Sequence, residues 1–340
     1  MLLASTALAQ WTKIPVPTTA GFRGLSVVSE NVIWASGTES TVIRTTDGGK
    51  HWNVITVPGG EKLDFRGIKA FNDQTAVIIS SGPAEKGQAQ IYRTTDGGKT
   101  WKQVFEEKRA GIFFDAVAFW DAKHGIVLSD PIDGKFALFT TEDGGLTWKQ
   151  LPPEALPAAL PNEGAFAASN SCLTVQGTSN VWFATGGAKV ARVFRSNDRG
   201  KTWAVAETPM HPANASSGIF SLVFQGSNYG VAVGGDYQKP EGPDLPNVLR
   251  TTDGGKSWQA AEVTIPAGMY LSSVAFVWHP GKDSLIAAGT KGLLHGLGGG
   301  SLNSKESEES LNAVGGTGHD TRLAWWAVGP KGLVLKKTKD

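Results

Sequence analysis

One nine-residue phrase recurs along the chain and limits what it can fold into. Arg44-Thr-Thr-Asp-Gly-Gly-Lys-His-Trp52 is followed by Arg93-Thr-Thr-Asp-Gly-Gly-Lys-Thr-Trp101 and Thr140-Thr-Glu-Asp-Gly-Gly-Leu-Thr-Trp148. Arg195-Ser-Asn-Asp-Arg-Gly-Lys-Thr-Trp203 and Arg250-Thr-Thr-Asp-Gly-Gly-Lys-Ser-Trp258 complete the set. The central aspartates, Asp47, Asp96, Asp143, Asp198 and Asp253, are 49, 47, 55 and 55 residues apart. A period in this range marks a chain built from one supersecondary unit used many times, each copy burying its apolar face against the next.

The unit is legible around the second copy. Phe65-Arg-Gly-Ile-Lys-Ala-Phe71, Gln74-Thr-Ala-Val-Ile-Ile-Ser80, Gln90-Ile-Tyr-Arg-Thr94 and Thr100-Trp-Lys-Gln-Val-Phe105 read as four short strands separated by turn residues. Four antiparallel strands per repeat of this length predict a β-propeller blade. The phrase itself predicts a tight hairpin between third and fourth strands. Its Asp accepts backbone N–H groups of its own turn, its Gly takes a positive φ, and its Trp opens the outer strand and packs over the turn. Five copies of one constellation cannot all be active sites. Asp47, Asp96, Asp143, Asp198, Asp253 and Trp52, Trp101, Trp148, Trp203, Trp258 are therefore read as structural. Arg44, Arg93, Arg195 and Arg250 are read as fasteners between blades.

Past Asp253 the next turn falls at His295-Gly-Leu-Gly-Gly-Gly300, a sixth copy that has lost its Asp and Trp. The strands after it, from Ser310 onward, make a blade one strand short. Trp11-Thr-Lys-Ile-Pro-Val-Pro17 matches Trp52-Asn-Val-Ile-Thr-Val-Pro58 and is expected to supply the missing outer strand. The expected fold is an all-β, seven-bladed propeller of four-stranded antiparallel blades closed by the N-terminal strand. It occupies 10–340, with blades near 21–58, 63–107, 111–152, 164–209, 217–266, 269–309 and 310–340 plus 10–17. Six blades remain open if the last stretch is irregular.

Charge and composition narrow the function. Lys+Arg is 32 and Asp+Glu 31, so there is no basic footprint for nucleic acid or anionic lipid. No apolar run is long enough for a membrane-spanning helix. The single cysteine, Cys172, excludes an intramolecular disulfide and a cysteine-rich metal site, and is expected as a buried small side chain. The six histidines lack metal-ligand spacing, and no glycine-rich phosphate loop opens a helix, so neither metal nor cofactor is expected. Ala7-Leu8-Ala9 after a short apolar stretch is a cleavage pattern, though without the basic residues of a complete signal peptide. Residues 1–9 are read as a signal-peptide remnant, with a periplasmic or secreted mature chain beginning near Gln10. No cysteine follows, so a lipid anchor is not expected.

The phrase is an Asp-box, or BNR, repeat. Nearly the whole chain resembles the families built on it: sialidases, sortilin-type receptors and the photosystem II stability/assembly factors. The Arg-Thr-Thr-Asp-Gly-Gly-Lys-x-Trp form is most similar to the last. That resemblance implies a seven-bladed, non-catalytic propeller with a scaffold or assembly role. It does not imply photosynthesis. It also implies an arginine patch, a general feature that Arg23 and Arg66 match.

Propeller connectivity locates the site. Third-to-fourth-strand turns lie on one face, with the boxes. Interblade and second-to-third-strand loops lie on the other. The insertions Pro152–Glu163, Pro209–Ser217, Asp236–Asn247 and Asn303–Ser310 fall on the second face, and only Gly315–Arg322 falls with the boxes. Insertions gathered on one face mark a binding face. Arg23 and Arg66 occupy equivalent positions there, Asp115 continues the series, and Asp130, Asp236 and Tyr237 end or follow second strands. Arginines at a channel mouth suit carboxylate or phosphate groups. An internal Arg–Asp network that merely satisfies the lining fits the same residues. Two readings follow. One is an exported, non-catalytic, monomeric propeller that binds a protein or glycan partner. The other is a glycoside hydrolase or lyase whose weak catalytic candidates are Asp115, Asp130 and Asp236. A sialidase is disfavoured because Arg23 and Arg66 have no third arginine partner.

Overall fold

The computed structural model describes residues 11–60, 62–241, 246–261, 269–277, 284–297, 302–319 and 322–338. The segment read as a signal remnant lies outside them, as does the end of the degenerate sixth box. Seven four-stranded antiparallel sheets form a ring. Among the described residues the only helical turns are the short 3-10 segments Ala84–Lys86 and Pro153–Ala155. No helix there is long and apolar enough to cross a membrane.

Burial explains why a ring forms. Side chains alternate across a strand, and the second strand of blade 1, Ile33–Gly37, is buried along its whole length. Ile33 and Ala35 face the last blade, whereas Trp34 faces the second. Repeated around the chain, this sorting yields seven apolar clusters, one in each seam between neighbours. No blade has a core of its own, so no blade is stable alone.

The ring closes through the N-terminus, as the sequence predicts. Thr12–Lys13 pairs with Val334–Thr338 in register Thr12↔Lys336, and the last sheet is completed by that pairing. Two paired residues are a short ladder. Side chains reinforce it: Trp11 Nε1 donates to Glu306 Oε2 at 2.7 Å, Lys13 meets Glu309 at 2.7 Å, and Ile14 and Val16 pack into the closing seam.

The boxes are self-contained turns. In each, the hydroxyl two residues before the Asp donates to its Oδ1 and accepts the N–H of the second glycine position, as in Thr94→Asp96 at 2.9 Å and Gly98→Thr94 at 3.0 Å. The same Oδ1 accepts the Thr100 N–H at 2.9 Å, while Oδ2 accepts the Thr100 hydroxyl at 2.6 Å. Gly97 and Gly98 both hold positive φ, which the tight turn demands. Saturation with donors holds the Asp96 carboxyl down at about 2, the Thr100 hydroxyl contributing most, and Asp253 sits at about 2 through Ser257. Fastening between blades is done by Arg44, which donates to the Asp73 carbonyl, and Arg93, which donates to that of Gly144. Among the described residues the other two arginines show no such bond. Arg195 Nε is buried without a hydrogen-bond partner, and Arg250 is exposed.

Candidate functional site

The inner strands carry a three-residue step at the mouth of the channel. Phe22-Arg23-Gly24, Phe65-Arg66-Gly67, Phe114-Asp115-Ala116, Ile219-Phe220-Ser221 and Leu311-Asn312-Ala313 share it. The first residue is fully buried in a seam and the third is small. Close approach demands the small residue: a Cβ on Gly67 would stand 2.5 Å from Asn170 Oδ1 and 2.6 Å from Ile79 Cγ1. In blades 1, 3 and 5 the middle residue is the extra residue of a β-bulge. Pairing jumps from Phe22↔Gly37 to Gly24↔Ser36, from Phe114↔Ser129 to Ala116↔Leu128, and from Ile219↔Gly234 to Ser221↔Val233. A bulge frees one residue from the ladder and re-aims its side chain; here those residues are Arg23, Asp115 and Phe220. Asp130 sits at a similar register shift on the second strand of blade 3, before Pro131.

Below the mouth, the segment 164–171 crosses the channel. Ala165 N–H donates to Asp130 of blade 3 at 2.9 Å. Phe166 stacks on Phe220 of blade 5 with ring centroids 3.9 Å apart. The Ala168 carbonyl accepts Arg23 Nη1 of blade 1 at 3.3 Å. Ser169 donates to the Ser272 carbonyl ahead of blade 6 at 2.6 Å. Asn170, in the left-handed region at φ 65°, joins the inner strands of blades 2 and 3 through Ile68 O and both backbone groups of Val117. One segment thus touches five other blades and turns the channel into a bowl with a floor. It is anchored at its N-terminal end by Glu163, buried in a two-pronged pair with Arg192 and bonded to Thr185.

The bowl has a volume of about 480 Å³ and is lined by residues from or bordering all seven blades: Arg23, Arg66, Phe113, Asp115, Asp130, Ala165 to Ala168, Phe220, Tyr237, Tyr270, Thr290 and Asn312. Arg23, Arg66, Asp115, Asp130 and Tyr237 were expected at this mouth and share the bowl. Asp236 is not among the lining residues. Its carboxylate accepts from Asn214 Nδ2 at 2.9 Å, Ser216 Oγ at 2.6 Å and Gln238 N at 2.9 Å, which organise the Pro209–Ser217 insertion beneath the rim. Phe113, the 165–168 floor, Phe220, Tyr270, Thr290 and Asn312 also line the bowl, beyond the ligand residues that the sequence points to. Phe220 and Asn312 occupy the Arg23 position of their blades, and that equivalence was available in the sequence. The floor had no such signal.

Charges in the bowl do not pair with one another. Arg66 Nε is bound to Asp64 at 2.7 Å. Arg23 has no carboxylate partner among the described residues; burial and the neighbouring Arg66 lower its pKa. Asp115 is 1% exposed, and its Oδ2 has no hydrogen-bond partner. Burial, and then the neighbouring Asp130, push its carboxyl well up. Burial likewise raises Asp130 to about 6, against the Ala165 N–H that favours its charge. Among the described residues the only Arg–Asp bond made by these arginines is the local one between Arg66 and Asp64. Cys172 is fully buried and inert, its thiol pushed up by the same burial. Among the described residues no group of three His, Cys, Asp or Glu could hold a metal ion.

Residues 3–155 match the family model of photosynthesis system II assembly factor YCF48, which bears out the resemblance carried by the repeated phrase. No curated protein matches the chain in sequence. Among solved structures, YCF48 bound to D1 peptide is similar at a TM-score of 0.65 and 17% identity, over 98% of this chain and 97% of that one. YCF48 from Cyanidioschyzon merolae is similar at 0.63 and 16%, over 97% and 99%. An ancestral GH74 enzyme reaches 0.64 at 12% identity, over 97% of this chain but 46% of its own. At these identities the likeness is one of fold.

Proposed function

We propose that the chain is an exported, non-catalytic propeller that binds a protein partner in the channel-mouth bowl and serves as a scaffold or assembly factor. One observation carries this reading. Arg23 is a guanidinium held in a bowl beside a second guanidinium, with a single hydrogen bond to a backbone carbonyl and no counter-ion among the described residues. A half-buried cation left so favours an anion from outside. The aromatic wall of Phe113, Phe166, Phe220 and Tyr237 suits apolar side chains beside that anion. The family match adds support, because a protein of that name is solved with a peptide bound. Acetylated tetrapeptides ending in a free carboxylate or an amide provide the test, with calorimetry on wild type and Arg23→Gln. The free acid should bind about tenfold tighter than the amide to the wild type, and equally to the variant. Acid and amide binding alike to the wild type would overturn the reading.

Glycoside hydrolysis is a second reading with an observation of its own. Asp130 at about 6 beside Asp115 is a carboxyl tuned toward general-acid work. Turnover of aryl glycosides that is lost in both Asp115→Asn and Asp130→Asn would establish it. Absence of turnover across aryl glycosides of both anomers would remove it.

A further inference from the structure

The bowl is dipolar, with Arg23 and Arg66 on a basic side and Asp115 and Asp130 on an acidic one. Asp115 is placed in the bowl by a bulge, is almost wholly buried, and leaves Oδ2 without a partner. An unpaired polar atom at such depth is destabilising, and a partner stands close by. Arg66 acts on Asp115 electrostatically, yet its Nε is bound to Asp64 instead. Arg23, the other guanidinium, is tied to the floor through Ala168. Asp130 has one oxygen engaged by the Ala165 N–H and no cation among the described residues. Two carboxyls and two guanidiniums thus share one small cavity and are each held away from neutralising the other. Aromatic rings line the same bowl, and their apolar surface lowers the local dielectric around whatever ion pair a ligand makes there.

We propose that Asp115 and Asp130 form a subsite for a cationic side chain, an ammonium or guanidinium, carried on the same bound segment whose carboxylate meets Arg23. The proposal rests on the partner-binding reading above and adds the partner's chemistry: an anchoring segment with one negative and one positive group, bridged by apolar contact. N–H donors from such a side chain would satisfy the free Asp115 Oδ2.

The groups facing Asp115 are Asp130, Arg66 and, beneath it, Cys172, with Arg23, Tyr237 and Tyr270 across the bowl. Burial and Asp130 hold the empty site toward its neutral form. An entering cation restores ionisation, so binding releases protons. The carboxylate half, at Arg23, releases none.

The experiment uses acetylated tetrapeptides with lysine placed in turn at each of the last three positions, the glutamine counterparts, and both free-acid and amide forms. They are titrated into wild type, Asp115→Asn and Asp130→Asn, with thermal unfolding run on each variant. Asn keeps the shape of Asp and stands in for its neutral carboxyl, so both variants should fold. The best lysine free acid should bind wild type about tenfold tighter than its glutamine counterpart. That preference should vanish in Asp115→Asn. Its binding heat should vary with buffer ionisation enthalpy, reporting proton release, whereas the glutamine peptide's should not. Lysine and glutamine peptides of equal affinity, with acid still preferred over amide, would sink the cationic subsite and leave the Arg23 reading intact. A lysine preference with no acid preference would do the reverse to the Arg23 reading and thereby to the bridging segment proposed here. A lysine preference that survives both Asp variants would remove the assignment to these residues. No binding by any peptide would overturn both.

Discussion

The two faces of the propeller use aspartate in opposite ways. On the box face, Asp96 takes hydrogen bonds from Thr94 and Thr100, all within four residues of itself, and its carboxyl is held down at about 2. At the channel mouth, Asp115 has an oxygen with no donor, and Asp130 has one backbone N–H and a carboxyl raised to about 6. The first arrangement stabilises its own turn and asks nothing of the outside. The second is retained against its own cost, in a bowl where Arg23 bonds a backbone carbonyl and Arg66 bonds Asp64 instead. Among the aspartates, a saturated carboxylate goes with a turn that is complete in itself, and an unsatisfied one with the open bowl.

That contrast can be broken by three substitutions. Trp34→Ala should have the largest effect. The ring is fully buried, meets Trp101 edge-on at 6.4 Å, lies under the Arg44 guanidinium and donates Nε1 to the Asn72 carbonyl. Its removal should cost about 3–5 kcal/mol in denaturant unfolding, while the folded variant keeps wild-type peptide affinity. A loss of affinity as large as the loss of stability would mean that the seams are not independent of the mouth. Asp130→Asn should move the other way. Between about 4 and about 6 the folded protein binds more protons at this group than the unfolded chain does, so stability falls as pH rises through that window. The variant should therefore be more stable by on the order of 2–3 kcal/mol at pH 7–8, with no gain below pH about 4. A variant that melts earlier at pH 8 would show that the charged carboxylate is structurally needed. Asp96→Asn should have the smallest effect, with the opposite pH sign. Its folded carboxyl lies below the unfolded one, so its contribution is present above pH about 4 and disappears as pH falls toward about 2. The melting temperatures of variant and wild type should converge as acid is added; a gap that persists at pH 2 would refute the account of the turn.

Much of this was legible before any coordinates. The box phrase carries its fold in local chemistry, since hydroxyl, carboxylate, glycines and tryptophan interact within one turn. The N-terminal closure was readable because Trp11–Pro17 repeats the pattern of the outer strands, and a ring with an open edge is unfavourable. Arg23, Arg66, Asp115 and Asp130 were found through equivalence of position between blades. Asp236 looked the same by that rule, yet its carboxylate is consumed by Asn214 and Ser216 of an insertion that the rule does not describe. Position alone also left the partner of Arg66 open: Asp64 is two residues away and Asp115 a blade away, and the local pair forms.

What the sequence alone determined is the repeated unit: the strand order within a blade, the turn that joins its outer strands, and the N-terminal strand that completes the last sheet, whereas the choice of seven blades over six waited on that last sheet. Each of those depends on residues near one another in the chain or on a pattern that recurs. What only the tertiary structure decided is the floor of the bowl and the charge state above it. The segment 164–171 has no repeat to be compared with, and its bonds reach blades whose inner strands are up to about a hundred residues away or more. Whether Asp115 meets an arginine or stands unpaired depends on where that segment and the bulges aim their side chains within an ångström or two, a difference that residue type and spacing do not encode.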